Sequence, residues 1–163
     1  MDIQTAINTA IEYETRVREV YVEARDEASN PVAKKVYTLM ADEENDHVAY
    51  LQAKLASWLE DGKLSSDDLQ TGVPQAEAIA AAVAELVSKV ESDDQEKELA
   101  VLEKAYQVEQ ETTDFYEQLV RELPGDGREF FSRFVKIEAG HLALVMAEMD
   151  ALRGTGFWFN MPE

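Results

Sequence analysis

No cysteine occurs among the 163 residues, which removes disulfides, zinc ribbons, iron–sulfur clusters and any thiolate-bound iron from consideration. Long apolar runs are missing too. The longest, Ala78 to Ala84, is far short of the roughly 20 residues a membrane span needs. The opening residues Met1-Asp2-Ile3-Gln4-Thr5 have neither a basic nor an apolar region of the secretory kind. Together these absences lead us to expect a cytoplasmic protein. Positive charge is scarce, with 15 basic against 34 acidic residues and a formal net charge of −19. Such a surface repels nucleic acid and anionic membranes, so neither is expected as a partner. Most of the acidity reads as solvated helix faces and by itself says little about metal. Histidine is limited to two residues, His47 and His141.

What is present is helical patterning over a length that suits one domain. Ile3, Ile7, Ala10, Glu14, Val17, Tyr21 and Ala24 recur at steps of four and three, one inward stripe of an amphipathic helix. Asn30-Pro31 then offers a cap and a first helical residue. The second stripe follows as Tyr37, Met40, Glu44, His47, Leu51, Leu55 and Trp58, and Asp61-Gly62 stops it. Leu102, Ala105, Glu109, Thr112, Tyr116 and Leu119 form the third. Past the break at Leu123-Pro124-Gly125-Asp126-Gly127, the fourth holds Phe131, Phe134, Glu138, His141, Val145, Met149 and Leu152. Residues 62 to about 93 carry turn signals and an alanine-rich stretch, Gln75 to Val90, read as an extra helix. That segment is too long for a tight turn and is expected to be a crossover between two helix pairs. The bundle is expected to span residues 1–153. The aromatic tail 154–163, with Phe157, Trp158, Phe159 and Met161, is expected to pack on it or on a partner subunit.

Both histidines close a Glu-x-x-His motif, Glu44 to His47 and Glu138 to His141. Glutamate is common here, 22 residues, so one such motif means little. That both histidines have one by chance is roughly a one-in-fifty event. Each motif is preceded by a glutamate on an otherwise apolar or small stripe, Glu14 and Glu109, seven residues before Tyr21 and Tyr116. The first set maps onto the second with shifts of 95 for Glu14 and Tyr21 and 94 for Glu44 and His47. An unpaired charge on such a stripe would cost several kcal/mol. Residues three apart on a helix face one point, so each motif presents an oxygen and an imidazole nitrogen together. Four ionised glutamates balance two divalent cations, whereas without metal they would repel and take up protons. The pattern is that of a two-metal carboxylate site inside four helices. Glu12 and Glu111 fall off the stripes and are expected in solvent. Tyr21 and Tyr116 either hydrogen-bond ligand carboxylates or simply fill the core.

Through Glu14 with Tyr21, Glu44-x-x-His47, Glu109 with Tyr116 and Glu138-x-x-His141, the chain resembles the rubrerythrin branch of the ferritin-like superfamily. The resemblance implies an all-α, ferritin-like four-helix bundle with a long crossover between helices 2 and 3. It further implies a non-haem di-iron centre, with Glu14 and His47 on one iron, Glu109 and His141 on the other, and Glu44 and Glu138 bridging. Manganese or a mixed pair fits the same ligands. Two departures are visible. Thr112 stands where the family usually has a second glutamate that exchanges with a histidine, and no cysteine is present to form a rubredoxin iron site. The implied function is reduction of hydrogen peroxide or O₂ with electrons from an external electron-transfer protein, in a homodimer. The alternatives are ferroxidase, iron-storage or detoxification activity, and a non-catalytic helical module that keeps its metal for stability.

Overall fold

The structure is a computed structural model describing residues 1–66, 68–72 and 95–153, apart from the side chains of Val32, Gln95 and Ala151. Four helices make up nearly all of it: α1 (Ile3–Glu27), α2 (Pro31–Asp61), α3 (Gln95–Glu122) and α4 (Gly125–Arg153). The expected all-α, ferritin-like four-helix bundle is what they form. The proposed extra helix from Gln75 to Val90 and the tail 154–163 lie outside the described residues.

Local chemistry sets the helix ends. Asp2 caps α1 by accepting from the Thr5 backbone N–H at 2.9 Å and the Thr5 hydroxyl at 2.8 Å. Asn30 caps α2 through its side-chain oxygen, which accepts from Ala33 N–H at 3.2 Å, with Pro31 in the first helical position. Gly62 supplies the left-handed backbone, φ 67°, that ends α2. At Gly127 a β-carbon would lie 2.5 Å from Ile3 Cδ1, so a glycine lets the starts of α1 and α4 meet.

α1 packs on α2, α3 on α4, and α1 on α3. Cross-helix bonds give the directions. Arg16 pairs with Glu111 and, about two turns further along α1, Glu23 pairs with the earlier Lys104, so α1 and α3 are antiparallel. The three-residue link makes α1 and α2 antiparallel as well. α2 and α3 are therefore parallel. The connection between them has to return the length of a helix that spans about 45 Å at 1.5 Å per residue. That geometry is the physical reason for a crossover. Inside, the core is divided. One apolar cluster holds Tyr21, Tyr37, Met40, Leu102 and Val145, the other Ile7, Leu51, Tyr116, Phe131 and Phe134. A polar layer lies between them.

Candidate metal centre

Glu14, Glu44, Glu109, Glu138 and His141 are 0 % exposed and His47 is 2 % exposed. All six come from stripes that are otherwise apolar, at the same height on their helices, so folding the stripes inward brings them together. His47 Nδ1 lies 3.4 Å from Glu14 Oε2, 3.4 Å from Glu44 Oε2 and 3.5 Å from Glu138 Oε1. His141 Nδ1 lies 2.7 Å from Glu44 Oε1 and 3.9 Å from both Glu109 Oε1 and Glu138 Oε2. Two groups of four result, Glu14–Glu44–His47–Glu138 and Glu44–Glu109–Glu138–His141, each with its donor atoms within 4.8 Å of one another. Glu44 and Glu138 belong to both. The imidazoles stack nearly parallel, with centroids 5.4 Å apart.

The tyrosines cross between helices. Tyr21 on α1 donates to Glu109 Oε1 on α3 at 2.6 Å, and Tyr116 on α3 donates to Glu14 Oε1 on α1. Two helical turns separate each tyrosine from its own helix's glutamate, so antiparallel packing delivers it to the partner's.

Protein charges alone leave this layer full of protons. Burial, then the charge of Glu44, pushes Glu14 up to about 8 and Glu109 up to about 7. Burial and the charges of Glu14 and Glu44 drive Glu138 well above the carboxylate range. Glu44 goes the other way. Burial opposes its charge, but the His141 imidazole and hydrogen bonds from its neighbours outweigh this and hold it well below the usual value. Burial likewise opposes charge on His47 and His141, and the surrounding carboxylates overcome it and hold both well above normal. Among the described residues, Glu44 Oε2, Glu109 Oε2 and both oxygens of Glu138 are buried with no hydrogen-bond partner. Each orphaned oxygen costs about 1–3 kcal/mol. Divalent cations taking oxygen and imidazole ligands would satisfy all four and balance their charge, so the residues fit such ions.

Several residues outside the expected set bear on this layer. Thr112 is buried three residues after Glu109 on α3, but its hydroxyl donates to the Val108 carbonyl of its own helix at 2.8 Å. Glu12 is exposed, and Glu111 pairs with Arg16 at 3.1 Å on the surface. Glu43 was not anticipated. It is buried beside both histidines, 3.2 Å from His141 Nε2 and 3.8 Å from His47 Nε2. The available signal was its position one turn before His47. A second buried acidic group was also missed: Glu98 accepts from Tyr37 at 2.5 Å, and burial and then the charge of Glu98 push Glu148 up to about 8.

The model of the rubrerythrin family matches residues 5–149, which take in nearly all of the four helices and every residue of the polar layer. The chain belongs to the rubrerythrin family. No curated protein and no solved structure matches it. Membership agrees with the buried glutamate–histidine groups, and among the described residues no helix is long and apolar enough to cross a membrane.

Proposed function

We propose that this rubrerythrin-family chain is a non-haem di-iron redox protein that reduces hydrogen peroxide or O₂ with electrons from an external protein donor. The observation that carries the reading is that Glu44 and Glu138 belong to both four-residue groups, as two bridging carboxylates require. Glu14 and His47 would complete one iron's ligands, and Glu109 and His141 the other's. The iron pair supplies two-electron redox chemistry, which suits the two electrons and two protons that convert one peroxide into two waters. The protein's own contribution is to position and shield. Tyr21 and Tyr116 fix the outer carboxylates by hydrogen bonds from across the bundle. The apolar clusters above and below keep bulk water out, which strengthens every charge interaction inside. With no cysteine in the chain, sustained turnover needs an added electron carrier. A cytoplasmic homodimer is the setting this reading assumes.

Stopped-flow mixing of anaerobically Fe²⁺-loaded protein with peroxide or O₂ tests the proposal. We expect the peroxide reaction to be the faster. A faster O₂ reaction, with ferric mineral accumulating inside a cage-like oligomer, would replace this reading with iron storage.

A further inference from the structure

Each imidazole in the centre has two faces. The Nδ1 atoms point at the four clustered glutamates, and the Nε2 atoms point at Glu43. Glu43 Oε2 is within hydrogen-bond reach of His141 Nε2 at 3.2 Å. Among the described residues His47 Nε2 has no hydrogen-bond partner, and Glu43 Oε2 lies 3.8 Å from it. A neutral imidazole carries one proton. Placed on Nε2 and directed at a carboxylate, it leaves the Nδ1 lone pair free for a metal ion and fixes the ring's orientation.

Glu43 is itself held from the far side. Its Oε2 accepts from the Thr71 hydroxyl at 2.9 Å, and its Oε1 accepts from the Gly72 backbone N–H. A β-carbon at Gly72 would lie 2.9 Å from Glu43 Oε1, so glycine permits the close approach. The segment is anchored in turn: Leu69 is buried, and its carbonyl accepts from Arg133 Nη2 of α4 at 3.1 Å. A chain of contacts thus runs from α4 through residues 69–72 to Glu43 and on to both rings.

We propose that Glu43 is a positioning residue shared by the two histidines, holding both as Nε2–H tautomers, and that residues 69–72 are the brace that fixes it. The inference rests on the metal-site reading, and it extends the working site to a segment outside the four helices. Zn²⁺, being diamagnetic, serves as the probe. Full-length wild type, Glu43→Ala, Glu43→Gln and Thr71→Val would be loaded with Zn²⁺, and their affinity measured by competition with a chromophoric chelator. Imidazole protonation would be followed by ¹H–¹⁵N correlation spectra.

Wild type is expected to take up two Zn²⁺ on Nδ1, with slowly exchanging protons on both Nε2 atoms. Glu43→Ala should lose roughly 10- to 100-fold in affinity and show fast Nε2–H exchange. Glu43→Gln, neutral and with one acceptor oxygen to serve both the rings and the Gly72 N–H, should fall between the two. Thr71→Val keeps the carboxylate but loosens it, so the same change should appear at smaller size in a fully folded protein. If Glu43→Ala does not fold, Glu43→Gln and Thr71→Val decide the matter. Unaltered imidazole spectra and affinity within about threefold of wild type would overturn the role of Glu43. A zinc ion found on the Nε2 side, lost in Glu43→Ala, would also overturn it, because Glu43, His47 and His141 would then be ligands in their own right. Failure of wild type to bind two ions would instead count against the metal site itself.

Discussion

Glu44 and Glu138 occupy equivalent places on α2 and α4, yet their protonation is driven in opposite directions. Glu44 has the His141 imidazole 2.7 Å away and stays ionised, whereas Glu138 has no hydrogen-bond partner among the described residues and is pushed towards its neutral form. Both belong to each of the two groups that could hold a metal ion, so each substitution by alanine should damage both positions. We expect Glu44→Ala and Glu138→Ala to bind fewer than two ions per chain by metal analysis after dialysis. Glu12→Ala, on the exposed face, should still bind two. Equal losses in all three would refute the assignment. At this scale much could be read from the chain alone, because histidine is rare and its spacing to glutamate is a local property. Glu43 could not be. Its burial depends on Thr71 and Gly72 reaching over it, and nothing in the helical periodicity of α2 encodes that long-range approach.

Helix stripes and caps were legible for the same local reason. Every residue of the fourth stripe, from Phe131 to Leu152, is buried, and Asn30 does cap α2. Asn30→Ala should therefore destabilise the protein by about 1 kcal/mol, read from the urea midpoint at constant slope. Glu98 and Glu148 are not in the stripes named above, although Glu98 lies four residues before Leu102 and Glu148 three after Val145. They are buried because the first turns of α3 and the last turns of α4 close over Tyr37, a contact between elements distant in sequence. The ionisation of Glu148 is raised to about 8 from 4.5 by burial and by Glu98, so folding favours its neutral form. For a carboxyl shifted upwards, that stability is complete below about 4.5 and is lost as pH rises through about 8. Glu148→Gln keeps the neutral shape without the charge. Its melting temperature should exceed that of wild type by more at pH 8.5 than at pH 6 in thermal scans, and a pH-independent difference would contradict the burial argument.

Across the whole molecule, the parallel run of α2 and α3 and the division of the core into two apolar clusters put the polar layer mid-bundle, away from solvent. Glu14 at about 8, Glu109 at about 7, and Glu138, His47 and His141 shifted upwards all bind protons more tightly folded than unfolded. In chelator-treated protein their stabilisation is present on the acid side and is lost as pH climbs through about 7 to 8. Glu44 acts oppositely, and its contribution is lost only as pH falls well below 4.5. Metal ions compete with the same protons, so binding tightens as pH rises. The gap in melting temperature between metal-loaded and chelator-treated protein should therefore widen from pH 6 to pH 8.5.

The most direct test of the two-ion centre is an anaerobic Fe²⁺ titration of the purified full chain, followed by dialysis and iron analysis. Two equivalents per chain, with binding lost in the Glu44→Ala, Glu138→Ala double variant, is the expected result. Saturation at zero or one equivalent, or two equivalents retained by that double variant, would contradict the assignment of these six residues.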